Sequence, residues 1–162
     1  MHNITLKYFL KRSFLLAAIV IGSTLAASAQ TTDAAKTTVA KGAASYIETF
    51  FKKYKTNADS AVDYIFGTNK LFATNPQITL LKSKIDSLQI SLGKYEGKEL
   101  ISEKSSSPSL VLYSYLVKHE NQPIRFTFIM YKAQNDWVLY RFNYDDQMDL
   151  ELFEAAKINN KR

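Results

Sequence analysis

The apolar residues of this chain follow two different periods, one in each half, and this change most constrains its fold. Up to about residue 92 they recur at steps of three and four residues, which predicts amphipathic helices. From residue 110 to residue 144 they mostly alternate with other residues, which predicts half-buried strands. Because helices and strands are segregated along the chain, the pattern predicts an α+β fold rather than alternating βαβ units.

Three helices are predicted before the sheet. The first covers about Thr38 to Lys55 and carries one apolar stripe, made of Val39, Ala43, Ile47, Phe50, Phe51 and Tyr54. The second runs from about Asp59 to Phe66 and stops at Gly67. The third begins at Pro76 and is capped by Gly93. Its apolar side should lie on a sheet and comprises Ile78, Leu81, Ile85, Leu88 and Leu92.

Four strands are predicted next, at about Tyr95–Lys104, Leu110–Lys118, Ile124–Lys132 and Trp137–Tyr144. Their short connections predict neighbouring antiparallel strands in a meander. The first strand is polar and contains Gly97, which places it at an edge or a bend.

Each of the last two strands should present two different faces. In the third, Ile124, Phe126, Phe128 and Met130 alternate with Arg125, Thr127, Ile129 and Tyr131. In the fourth, we expect one face to carry Val138, Tyr140, Phe142 and Tyr144 and the other Trp137, Leu139, Arg141 and Asn143. A short final helix, about Asp149 to Lys157, should offer Leu152, Phe153 and Ala156 to the core.

The first 29 residues have the layout of a secretory signal peptide. A basic segment precedes the apolar run Ser13–Leu25, and small residues follow up to an A-x-A site after Ala29. The run is shorter than the roughly 20 residues that a membrane-spanning helix needs. We therefore predict cleavage after Ala29, a flexible tether at 30–37, one domain at 38–158 and a tail at 159–162. No cysteine is present to carry a lipid anchor, so the expected location is the periplasm or the exterior.

Composition and charge exclude several functional classes. A chain without cysteine has no disulfide, no thiolate nucleophile and no Cys-ligated metal centre. Removing the leader lowers the formal net charge from +6 to +3, because the leader holds Lys7, Lys11 and Arg12. That is ordinary surface charge, and nucleic acid is not an expected partner. We also predict no membrane span after cleavage and no cofactor.

The arrangement of helices and strands, together with several short sequence segments, resembles a known superfamily. The matching segments are 61–66 with Thr68-Asn69, 92–95 with Gly97, 123–128 with Tyr131-Lys132, and Trp137 with Phe142 and Asp145-Asp146. They resemble the nuclear transport factor 2-like superfamily, also described as cystatin-like, and within it small secreted bacterial proteins of unknown function. The resemblance covers about residues 40–157. It implies a cone with a pocket between helices and sheet, often a homodimer through the outer sheet face, and no particular activity.

The sequence contains few candidates for catalysis. Enzymes of this superfamily place an Asp, or an Asp/His pair, in the pocket to move a proton. The only histidine after the leader, His119, falls in a predicted hairpin turn, where we expect it to be solvated. Asp63 remains as a base that could act with a tyrosine donor, or as a plain surface carboxylate. No metal-ligand spacing, phosphate loop or nucleophile elbow occurs.

Aromatic and arginine side chains supply the remaining signal. Tyrosine and tryptophan favour interfaces and ligand pockets, although they are also good strand formers. The candidate contact residues are Tyr113, Tyr131, Trp137 and Tyr140. Arg125 and Arg141 could flank one another and orient an anionic ligand, or pair with acids.

The expected function is a non-enzymatic module of the cell envelope. Its partner would be a small apolar or anionic ligand, or an envelope protein. The alternative is a small lyase or isomerase with Asp63 as base, and a purely structural homodimer is a third hypothesis.

Overall fold

Three helices come first in the part of the chain that the computed structural model describes, residues 42–159. Helix α1 spans residues 42–54. Helix α2 spans Ala58–Gly67, a 3-10 turn follows at Lys70–Phe72, and α3 spans Gln77–Leu92. The predicted helices are confirmed within a few residues of their expected ends, except that the expected start of the first helix, at Thr38, lies outside the described residues. The predicted leader at 1–29, the tether at 30–37 and residues 160–162 of the predicted tail lie outside the described residues.

A four-stranded sheet follows the helices. Its strands are β1 (Tyr95–Ser107), β2 (Leu110–His119), β3 (Ile124–Lys132) and β4 (Trp137–Asp145), and helix α4 (Met148–Asn159) comes after them. The strands lie in the order β1-β2-β3-β4, and each pair is antiparallel. The predicted α+β class with an antiparallel meander is therefore confirmed. Strand β1 lies at an edge, and its register shifts between Tyr95 and Gly97, as the glycine suggested.

The core lies between the helices and one face of the sheet, and aromatic rings fill its centre. Phe50 of α1 packs edge-on against Phe128 of β3 with the ring centroids 5.1 Å apart. Phe142 of β4 lies 5.2 Å from Phe126 and 5.1 Å from Phe128, measured between centroids. Ile85 and Leu92 of α3 are buried against this cluster. The space between α1 and the sheet is therefore occupied by side chains.

A β-bulge corrects the predicted faces of β4. Trp137 pairs with Lys132 and Leu139 with Met130, but the register shifts so that Arg141 pairs with Ile129. Tyr140 is the extra residue, and the bulge breaks the strict alternation that we expected. Trp137 and Leu139 are buried before the bulge, whereas Phe142 and Tyr144 pack on the core after it. The single face predicted for Val138, Tyr140, Phe142 and Tyr144 is therefore wrong.

Helix α4 does not pack as predicted. Leu152 and Phe153 are 71% and 62% exposed, and Ala156 is exposed as well. The reason is the orientation of the helix, which directs Glu151 to Arg125 on β3, with 2.5 Å between the carboxylate and the guanidinium. The expectation that Leu152, Phe153 and Ala156 enter the core is therefore wrong.

His119 also departs from its prediction. The strand β2 extends to residue 119, and its alternate residues from Val111 to His119 point to the core, so the imidazole is only 7% exposed. The imidazole Nδ1 lies 2.8 Å from the carbonyl oxygen of Gly93, and Nε2 lies 3.3 Å from the hydroxyl of Tyr54. The expectation of a solvated histidine in a turn is therefore wrong, because His119 is buried at the end of β2.

The free edge of β4 is covered by two polar side chains. The hydroxyl of Thr68 accepts a hydrogen bond from the Leu139 amide at 2.9 Å, and Asn69 Nδ2 donates to the Leu139 carbonyl at 2.8 Å. An edge strand otherwise leaves these backbone groups unpaired. The segment after α2 therefore anchors the helices to the sheet beside the bulge.

Candidate functional site

The outer face of the sheet carries an apolar patch at one end. Leu110 lies opposite Tyr131, and Leu112 lies opposite Ile129. Ile129 in turn lies opposite Arg141 on β4. We call Leu110, Leu112, Ile129, Tyr131 and Val138 the outer-face patch. These residues are half-buried or exposed, in contrast to the buried residues of the inner face.

Basic and aromatic side chains border the outer-face patch. Lys104 of β1 lies opposite Leu112, and Arg141 lies on the other side, next to Ile129. The guanidinium carbon of Arg141 lies 5.8 Å from the ring centroid of Tyr140, a cation–π contact, and Tyr140 is 53% exposed. A shallow depression of about 310 Å³ is lined by Lys104, Ser105, Ser106, Leu110, Leu112 and Ile129. The border is therefore positively charged around an apolar centre.

The structure does not bring the four candidate aromatic residues together. Tyr131 and Tyr140 are exposed at the outer-face patch, whereas Tyr113 and Trp137 are buried among core residues. A Cβ atom built on Gly42 would lie 3.1 Å from the indole nitrogen of Trp137, so α1 approaches this ring closely. Burial raises the pKa of Tyr113, with a further contribution from Glu103.

The two candidate arginines have different environments. Arg125 donates to Asp145 at 3.0 Å and to Glu151 at 2.5 Å, so it holds two carboxylates of its own chain. The hydrogen bond to Asp145 raises the pKa of Arg125 despite its partial burial. Arg141 lies four residues before Asp145, the partner of Arg125 across the ladder, and the two arginines do not flank one another. Arg141 alone faces the outer-face patch.

A second concave site lies between α2, the 3-10 turn and the start of α3. It has a volume of about 280 Å³ and includes Asp63, the base of the enzymatic hypothesis. Asp63 is 59% exposed and forms an ion pair with Lys82 of α3. Tyr64 is not among the residues that line this cavity, and the lining of this described site contains no tyrosine.

Sequence patterns did not identify several residues of these sites. Leu110 and Leu112 could have been found, because their spacing puts them on one face of β2. Lys82 and Lys104 had no such signal, because their importance depends on a partner from another element.

Metal binding and membrane crossing can be examined for residues 42–159. Within this range no group of three or more His, Cys, Asp or Glu residues is placed to hold a metal ion. None of the helices in the same range is both long enough and apolar enough to cross a membrane.

The chain was compared with known proteins at the level of families, sequences and structures. No protein-family model matches it, and no curated protein or solved structure is significantly similar to it.

Proposed function

We propose that this protein is a non-enzymatic protein-interaction module of the cell envelope, and that the outer-face patch is its contact surface. The observation that carries the proposal is the pairing of Leu110 with Tyr131 and Leu112 with Ile129 on the exposed face of the sheet. Aromatic residues and arginine are enriched at protein interfaces. Tyr131, Tyr140 and Arg141 supply both types at this patch.

The packed interior supports a surface role. Large aromatic side chains fill the space between α1 and the sheet, so a ligand there would have to displace them. Displacing close-packed core side chains is costly. A partner that binds the outer-face patch leaves this core unchanged.

The charge at the border of the patch defines the chemistry of the partner. Lys104 and Arg141 flank the apolar centre on opposite sides. A protein surface that presents apolar side chains between carboxylates would complement both features. Glu151 of α4 binds Arg125 on the same face of the sheet. This contact reduces the part of the face that a partner can reach.

The leader pattern supports the location in this proposal. Residues 1–29 have the sequence layout of a signal peptide, and we place the protein in the periplasm or outside the cell on that pattern. We also propose that the chain belongs to the nuclear transport factor 2-like superfamily, because the sequence segments named above resemble it.

The enzymatic alternative has less support. Asp63 lines a cavity, but the lining of this cavity lacks the tyrosine donor that the alternative requires. Turnover that disappears in Asp63→Asn would favour the enzymatic alternative over the interaction module.

Site-specific photo-crosslinking in cells that produce the chain tests the interaction surface. A photoreactive phenylalanine is introduced in place of Ile129 or Tyr131. We expect a discrete cross-linked species of defined mass, which mass spectrometry identifies as another protein or a second copy. The charge reversal Arg141→Glu should reduce this species, because it removes the attraction for carboxylates.

The chain offers matched controls for this experiment. Ile90 is 85% exposed on α3 and takes the same photoreactive residue away from the sheet. Lys84→Glu makes the same charge reversal on α3, where the side chain is exposed. Cross-linking that is equally strong from Ile90, or equally sensitive to Lys84→Glu, would contradict the proposed surface.

A further inference from the structure

The cavity between α2 and α3 combines an apolar floor with two opposite charges. Phe66 and Phe72 pack edge-to-face with their centroids 5.1 Å apart, and Ile78 completes the apolar side. Asp63 and Lys82 form the charged side. The volume of about 280 Å³ is close to the lower end of the range of small-molecule sites, roughly 300–1,000 Å³.

The ion pair at the cavity can be exchanged for other charged partners. The side chain of Asp63 is 59% exposed and that of Lys82 is 23% exposed, so the aspartate keeps much of its contact with water while the lysine is more enclosed. Solvated ion pairs of this kind contribute little to folding stability. A ligand that brings its own carboxylate to Lys82 and its own ammonium to Asp63 would replace both interactions.

One wall of the cavity is formed by a glycine beside open space. Gly67 ends α2 and lines the cavity, and a Cβ atom built on it would meet nothing within 4 Å. Gly67 itself is exposed. The cavity therefore adjoins open space at the end of α2, which leaves room for a ligand to enter.

We propose that this cavity binds a small zwitterion with an apolar side chain, of the size of an α-amino acid. Lys82 binds the carboxylate, Asp63 binds the ammonium group, and the side chain packs on Phe66, Phe72 and Ile78. This site is separate from the outer-face patch, so the two proposals succeed or fail independently.

Titration of the purified protein with L-phenylalanine and L-leucine, followed by NMR chemical shifts and calorimetry, tests the site. We expect saturable binding with shifts centred on Gly67 and Lys82. N-acetyl-phenylalanine lacks the ammonium group and phenylalanine amide lacks the carboxylate. Each should bind about 10-fold or more weakly, the effect of losing one charged hydrogen bond.

Variants separate the site from a nonspecific effect. Lys82→Gln should weaken binding of phenylalanine and leave the affinity for phenylalanine amide unchanged. Asp63→Asn should also weaken binding of phenylalanine, and it should leave the affinity for N-acetyl-phenylalanine unchanged. Lys84→Gln and Asp86→Asn make the same changes at exposed positions of α3 and should leave all affinities unchanged. The double variant Asp63→Asn/Lys82→Gln should lose binding of phenylalanine while the thermal unfolding temperature is retained, because an exposed ion pair contributes little to stability.

Three results would overturn the proposal. The first is no saturable shift with either amino acid in the folded wild-type protein. The second is binding that is equally strong for the zwitterion and for both blocked compounds. The third is unchanged binding of phenylalanine in a folded Asp63→Asn/Lys82→Gln double variant.

Discussion

The hydrogen bond from His119 to the Gly93 carbonyl fixes the tautomer of the neutral imidazole. The Gly93 carbonyl can only accept a hydrogen bond, so Nδ1 of His119, which lies 2.8 Å away, carries the proton. In the neutral imidazole Nε2 is then an acceptor, and the Tyr54 hydroxyl, at 3.3 Å, donates to it. Burial raises the pKa of Tyr54, which keeps this hydroxyl protonated. The contact links α1, the end of α3 and the end of β2.

We expect Tyr54→Phe to lower the free energy of unfolding by about 1–3 kcal/mol, because it leaves a buried acceptor on His119 without a donor. Urea denaturation measures the change. Tyr140→Phe removes the same atom from a tyrosine that is 53% exposed, and it should have almost no effect. Equal stabilities of the two variants would show that the Tyr54 hydroxyl makes no net contribution.

Gly93 shows why this residue-level arrangement could be predicted only in part. The sequence predicted a capping glycine after the third helix, and the structure has φ at +81° there. The same position lies against the β2–β3 turn, because the Asn121 amide donates to the Leu92 carbonyl at 3.0 Å. Neither the contact with this turn nor the burial of His119 leaves a signal in local sequence, since the partners are about 26 residues apart.

At the scale of secondary-structure elements, the attachment of α2 to β4 depends on a short polar segment. Thr68 accepts from the Leu139 amide and donates to the Ile65 carbonyl at 2.6 Å, so one hydroxyl connects the end of the helix with the strand. The connection lies next to Tyr140 at the bulge, where β4 is least regular.

We expect Thr68→Ala to destabilise the protein by about 1–2 kcal/mol, because it removes hydrogen-bonding partners from two backbone groups. Amide hydrogen exchange at Leu139 should become faster at the same time, since an edge amide without a partner opens to water. Thr68→Ser keeps the hydroxyl and should retain slow exchange. Equal rates of amide hydrogen exchange at Leu139 in the Ala and Ser variants would contradict this prediction.

The bulge in β4 illustrates the limit of periodicity at the element scale. Alternation correctly predicted that Ile124, Phe126, Phe128 and Met130 share a buried face in β3. The same rule failed in β4, because one extra residue at Tyr140 reverses the face of every residue after it. Nothing in the local run from Trp137 to Tyr144 marks this position, and the shift appears only in the pairing with β3.

At the scale of the whole molecule, buried tyrosines make stability sensitive to alkaline pH. Burial is the first cause that raises the pKa of Tyr54, Tyr95, Tyr113 and Tyr115. For Tyr115 the pKa is raised from 10.0 to about 12, with further contributions from Glu48 and Glu103. The folded state therefore holds its phenolic protons more tightly than the unfolded chain.

The stabilising effect of these tyrosines is fully present below pH 10 and is lost as the pH rises towards about 12. We expect the urea midpoint to fall steeply across this range, and phenolate absorbance to rise together with unfolding. Tyr115→Phe should make the fall shallower, whereas Tyr131→Phe, at a 42% exposed position, should not. A midpoint that is constant between pH 10 and about 12 would contradict this prediction.

The sequence by itself determined the α+β class, the order of helices and strands, and the buried face of β3. These properties follow from the local periods of apolar residues, which each segment carries alone. The tertiary structure decided the burial of His119, the exposure of Leu152 and Phe153, and the grouping of Asp63 with Lys82. It also decided which aromatic residues reach the surface. Each of these depends on contacts between elements, and such contacts are set by strand register and helix orientation.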